Sequence, residues 1–169
     1  MTQLRTIPDE MLIQEYKTRF YIKPGKQITN PLQAQYHLAS FFETNERERF
    51  VVMYLSSCNK VIKTEVISEG TISKAHIYAR ELLRKVLDLN AASIIISHNH
   101  PSGNPELSRE DIELSRTLKD LLKLMEVALL DHIIIVGNSI SACQIVVTSL
   151  INVEVYHAKR HQNRNHGTG

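Results

Sequence analysis

Apolar positions along this chain alternate between helical and strand rhythms. Leu32, Tyr36, Leu38, Ala39 and Phe42 recur at roughly helical spacing behind Asn30-Pro31, a capping residue followed by proline at the first helical position, and predict a helix over 31–44. Asn45 to Arg49 is a polar break. Phe50 to Leu55 is a short, continuous apolar run, the mark of a buried strand. Ser56 to Lys60 reads as a turn and Val61 to Ser68 as the partner strand of a hairpin, which Gly70 ends. Leu82, Leu83, Val86 and Leu87 mark one face of a helix over about 76–89. Ala92 to Ser97 is a further buried strand around Ile94, Ile95 and Ile96. A loop rich in proline and glycine covers 98–107, and Ser108 opens a long helix with Ile112, Leu118, Leu121, Leu122 and Met125 on its apolar side. His132 to Val136 is another strand. This order predicts an α/β fold, a mixed sheet flanked by helices.

The ends carry less pattern. Residues 1–21 show little periodicity and read as an N-terminal extension, 22–150 as the main domain, and 151–169 as a polar, disordered tail. Asn138 to Val147 finds no secure place in the sheet. A hydrophobic fraction of 43% supports a real core. Twenty basic against 18 acidic residues leave a net charge of +2, which gives no electrostatic case for nucleic acid beyond the short basic tail. Cys58 and Cys143 are far apart and outside any CxxC, as expected in a reducing cytoplasm. No basic-then-apolar leader and no apolar run of about 18 residues is present, so neither a signal peptide nor a membrane span is expected.

The chemistry concentrates between Ser97 and Asp111. His98 and His100 leave an apolar strand two residues apart, so the period of two points both imidazoles the same way, a ready pair of zinc ligands. The turn from Pro101 to Pro105 can return the next helix beside them, with Asp111 in its first turn as a third ligand. Three protein ligands and one open position is the catalytic zinc arrangement. Plainer readings exist: Ser108-x-x-Asp111 is also a capping box, and His98-Asn99-His100 could be a polar loop at a strand end. Asn99, facing away from its neighbours, is given no catalytic role. Ser102 and Gly103 can lend backbone N–H groups. Asp131 and His132 are read as a buried hydrogen-bonded pair or as a support for a ligand histidine. His76 reads as a surface or capping residue, and Cys58 as a turn residue.

At these positions the chain resembles a known family. His98-x-His100, seven residues, then Ser108-x-x-Asp111 is similar to the JAMM motif of MPN-type metalloproteases. HNHPSGNP, with Leu130-Asp131-His132 downstream and Gly70-Thr71, Ala79-Arg80-Glu81 and Asn90-Ala91-Ala92 upstream, resembles the RadC branch, over roughly 22–137. Ala79 stands where that branch commonly has proline. The resemblance implies a cytidine-deaminase-like architecture and one zinc per chain on His98, His100 and Asp111. It also implies that Ser108 steadies the tetrahedral intermediate, and that a glutamate just ahead of a core strand is the general base. Glu48 fits that glutamate best, with Glu65 and Glu81 as rivals.

The implied function is a zinc-dependent metallohydrolase acting on a peptide or isopeptide-linked protein. The alternative is a DNA-repair or mobile-element accessory protein in which the fold is a binding module. A base deaminase would need HxE followed by PCxxC, and neither is present.

Overall fold

The computed structural model describes residues 8–42, 47–70, 75–136, 144–148 and 155–156; at 9, 75–78, 144–148 and 155–156 only the backbone is described. Cys143, most of the 138–147 stretch and the tail from His157 onward lie outside them, as does the His76 side chain. The elements run α1 (Asp9–Phe20), α2 (Pro31–Ala39), β1 (Arg49–Leu55), β2 (Val61–Glu69), α3 (Ala75–Asp88), β3 (Ser93–His100), α4 (Arg109–Leu124), β4 (Ala128–Val136), β5 (Gln144–Thr148) and β6 (Val155–Tyr156). One mixed sheet holds the strands in the order β2-β1-β3-β4-β5-β6. Among the described strands only β3 and β4 pair parallel, joined by the α4 crossover that a parallel pair requires. The expected α/β class, a mixed sheet flanked by helices, is the one observed.

Strand parity sorts the core into two layers. Phe50, Val52 and Tyr54 of β1 join Ile94 and Ile96 of β3 beneath Leu82 and Val86 of α3 and Leu114, Leu118 and Leu122 of α4. Val51, Met53 and Leu55, with Ile95, Ile133 and Ile135, face the opposite way onto Ala34, Leu38, Ala39 and Phe42 around α2. Both faces of the central strands are therefore covered, which is why they read as unbroken apolar runs. Helices α3 and α4 end alike. Asn90 and Glu126 take left-handed φ values of 49° and 57°, and the next N–H bonds back to Val86 and Leu122, each at 3.0 Å. These turns feed the chain straight into β3 and β4. Among the described residues, no helix is long and apolar enough to cross a membrane.

Several expectations change. The stretch read as aperiodic contains α1, which docks through Tyr16 and through Phe20 stacked on Tyr36 at 4.7 Å. Helix α2 stops at Ala39, and its buried face is Ala34, His37, Leu38 and Ala39, whereas Leu32 and Tyr36 are exposed. Strand β3 continues three residues past Ser97, because β1 pairs it as far as His98 and β4 as far as His100. The unplaced stretch ends in β5, which pairs antiparallel with β4 from His132 to Val136. Within the stretch read as a disordered tail, Val155–Tyr156 forms the last strand on β5.

His37 ties α2 to the sheet. It is 0% exposed; its Nδ1 accepts from Ile22 N–H at 2.8 Å, so Nε2 carries the proton and donates to Thr64 Oγ1 at 2.9 Å. Burial lowers its pKa from 6.5 to about 4, and a protonated ring would also set Nδ1–H against the Ile22 N–H. With the folded pKa depressed, this stabilisation is complete above pH 6.5 and is lost as pH falls toward 4. Chemical denaturation at pH 7 and 4.5 should therefore show wild type losing about 2–3 kcal/mol more than His37→Gln. Equal losses would show that His37 does not govern acid sensitivity.

Candidate metal centre

The site lies where β3 and β4 end together, at the edge crossed by the N-terminus of α4. Ligands of α/β sheets gather at such carboxyl ends of parallel strands. β3 brings His98 and His100 to the same face, and α4 brings Asp111 over them. The helix starts there because Ser108 and Asp111 cap it reciprocally: Asp111 N–H donates to Ser108 Oγ at 3.0 Å and Ser108 N–H to Asp111 Oδ2 at 2.9 Å. The capping and ligand readings of Asp111 thus coexist in one side chain.

The three side chains converge. His98 Nε2 lies 3.2 Å from Asp111 Oδ1, His100 Nε2 lies 3.4 Å from Asp111 Oδ2, and the two Nε2 atoms are 2.8 Å apart. These donor atoms lie within 4.8 Å of one another and could hold a metal ion. A tetrahedral zinc with bonds near 2.1 Å would separate its donors by about 3.4 Å, so the triangle fits such an ion after a small opening between the imidazoles. The side chains of His98 and Asp111 are 1% and 5% exposed and that of His100 is 12% exposed, so the site faces solvent on the His100 side.

The surrounding hydrogen bonds set the tautomers. His100 Nδ1 lies 2.8 Å from the Asn104 carbonyl, which only accepts, so Nδ1 holds the proton. Behind His98 runs a buried chain. Ser115 Oγ gives its proton to Asp111 O at 2.7 Å and therefore accepts from His132 Nδ1 at 2.6 Å. Burial holds the pKa of His132 well below its ordinary value, against the opposing charge of Asp111, so its ring stays neutral. Its Nε2 must then accept from His98 Nδ1–H at 2.8 Å. Both His98 and His100 are left with an Nε2 lone pair aimed at one point. Two lone pairs 2.8 Å apart need a cation between them, a proton or a metal.

Asp111 supplies the opposite charge. Burial alone would raise its pKa, but hydrogen bonds from His100, His98 and Ser108, with the His98 charge, hold it far below the carboxylate range. His100 is raised, first by its hydrogen bond to Asp111, against the opposing effect of burial. The charge of Glu48 adds to that rise, which places Glu48 within electrostatic reach of His100.

The remaining expected residues separate clearly. Glu48 immediately precedes β1, whose Phe50 is in register with His98. Glu65 is held between Lys63 at 2.6 Å and Lys85 at 2.7 Å, and Glu81 is paired with Arg84 on α3. Ser108 Oγ donates to Asp111 Oδ2 at 2.6 Å. Asp131 binds its neighbour's N–H, and burial raises its pKa to about 7; it lines a 270 Å³ cavity with Ile95 and Asn30 rather than the His98 cluster. Sequence reasoning missed Ser115 and left the part of His132 open. The available signals were a small polar residue four places after Asp111 and a histidine sharing the parity of Ile134.

Comparison with known proteins places this geometry in a family. The RadC-like JAB domain profile matches residues 28–145. The chain is 39% identical over 114 residues to a UPF0758 protein of Photobacterium profundum, covering 68% of the chain and 51% of that relative. It is 40% identical over 121 residues to a UPF0758 protein of Vibrio parahaemolyticus, covering 71% of the chain and 54% of the relative. The chain thus spans about half the length of the curated relatives it matches. The profile match runs from the residue after the Gln27 bridge to the second residue of β5 and encloses the whole His98, His100 and Asp111 cluster, so the chain belongs to the RadC-like JAB domain family.

Proposed function

We propose that this chain is a zinc-dependent hydrolase of amide bonds, with a peptide or isopeptide-linked protein as substrate. The observation that carries the reading is the pair of tautomer-set imidazoles whose Nε2 lone pairs meet beside a buried carboxylate. His98, His100 and Asp111 hold the ion, and zinc suits two imidazoles and one carboxylate. An ion bound there supplies a Lewis acid and brings the pKa of a bound water toward neutrality.

The protein's own groups do the rest. Glu48 takes the water's proton on its carboxylate and returns it to the leaving nitrogen. Its rivals are ill suited, because Glu65 is neutralised by two lysines and Glu81 is turned to Arg84. Ser108, at the positive end of α4, steadies the substrate oxyanion when its hydroxyl turns from Asp111. The peptide substrate rests on the family resemblance. The reading includes a reducing cytoplasmic setting, in keeping with the exposed, unpaired Cys58.

Metal analysis of tag-free protein tests the first step. Wild type should carry about one zinc per chain, and His98→Ala/His100→Ala should carry none. No uptake by wild type would leave a metal-free binding module as the better reading. On a substrate found by screening wild type against peptides and isopeptides, Glu48→Gln should keep its zinc and lose roughly 10²–10⁴-fold in kcat. An unchanged kcat would remove Glu48 from the mechanism. His132→Ala should weaken zinc binding about 10–100-fold in a chelator competition, since it frees the ring of His98. Unaltered affinity would mean that packing alone orients that ring.

A further inference from the structure

Asn99 lies between the two histidines in β3, yet it belongs to the other face of the sheet. It is 0% exposed. Its Oδ1 accepts the Arg49 N–H at 2.7 Å, and its Nδ2 donates to the Arg47 carbonyl at 3.0 Å. Because one contact needs an acceptor and the other a donor, the amide orientation is unambiguous.

Those two backbone groups flank Glu48. The Arg47 carbonyl belongs to the peptide unit before the Glu48 Cα, and the Arg49 N–H to the unit after it. Holding both units holds the φ and ψ of Glu48 between them. On the other side, the Glu48 carbonyl accepts the Gly70 N–H at 2.8 Å, where β2 has just ended. The Glu48 backbone is therefore gripped from β3 and from the end of β2, although it lies outside any strand itself. Such a grip matters for a group that must meet a proton within hydrogen-bond reach.

We infer that Asn99 is a positioning residue: its amide clamps the two peptide units around Glu48 and so aims that carboxylate at the metal centre. The inference rests on the reading of Glu48 as the base. Asparagine suits the task because one short planar group carries both an acceptor and a donor. Aspartate would set a second negative oxygen against the Arg47 carbonyl. Alanine or leucine would leave both peptide groups without this partner. The same strand thus serves the site twice, through His98 and His100 on one face and through Asn99 on the other.

The test uses the full chain loaded with cobalt(II), whose visible absorption bands report the ionisation of the metal-bound water. The pH midpoint is measured for wild type, Glu48→Gln, Asn99→Ala and the double variant. Glu48→Gln should lower the midpoint by roughly one pH unit, because a nearby negative charge opposes loss of a proton. Asn99→Ala should lower it by a smaller amount in the wild-type background and by nothing further in the Glu48→Gln background. That non-additivity is what action through Glu48 means. The Arg49 amide should also exchange with solvent roughly tenfold faster in Asn99→Ala, having lost its acceptor. If the alanine variant does not fold, Asn99→Leu keeps the side-chain volume while removing both hydrogen bonds, and the same shifts are expected. A midpoint that does not respond to Asn99, or that shifts equally with and without Glu48, overturns the clamp. A midpoint unmoved by Glu48→Gln is a different failure: the base assignment falls, and the clamp falls with it.

Discussion

Two imidazole nitrogens that both present lone pairs repel, and at 2.8 Å they are stable only around positive charge. Much of the structure near the ends of β3 and β4 serves to keep His98 and His100 in that otherwise unfavourable arrangement. Each ring is prevented from rotating its Nε2 away by a bond at Nδ1, to His132 in one case and to the Asn104 carbonyl in the other. The buried carboxylate of Asp111 makes the positive charge welcome. The price of the arrangement is spread over β4, which carries His132, α4, which carries Ser115 and Asp111, and the Pro101–Pro105 turn, which carries Asn104. An apolar sheet with helices on both faces gives those elements a rigid common base.

The legible parts of the fold were those governed by neighbours in sequence. Asn30-Pro31 and Ser108-x-x-Asp111 are local capping signatures, and both helices begin where these place them. Period two in β3 was enough to put His98 and His100 side by side, and the helix cap was enough to bring Asp111 near. The boundary of β3 was not legible. His98-Asn99-His100 is polar, and only pairing from β1 and β4 keeps it extended. Helix α1 escaped notice for the same kind of reason: Met11 and Leu12 are exposed, and its docking comes through aromatic contacts with distant residues.

Polar residues buried for a purpose were the hardest to read. His37 and His132 look alike in a one-dimensional pattern, since each is a histidine in an apolar element. One anchors a helix to a strand and the other sets the tautomer of a metal-site histidine, and the difference lies in partners 15 to 34 residues away. Choosing among Glu48, Glu65 and Glu81 likewise depended on Lys63, Lys85 and Arg84: Lys63 and Arg84 sit close to their glutamates in sequence, but Lys85 reaches Glu65 only because α3 docks against β2.

The alternation of faces along β3 also shapes how this sequence can vary. Three consecutive side chains point to two different layers, and each is matched to its own layer. A deletion or insertion of one residue within β3 would turn the amide toward the metal donors and drive two imidazoles into the layer beneath α2. No compensating change at a single position could restore that, because every later side chain of the strand would also have changed sides. The loop from Pro101 to Leu107 carries no such alternation, so length changes there leave β3 in frame. In evolutionary terms, β3 is a reading frame: it tolerates substitution at its apolar positions but not a change in count.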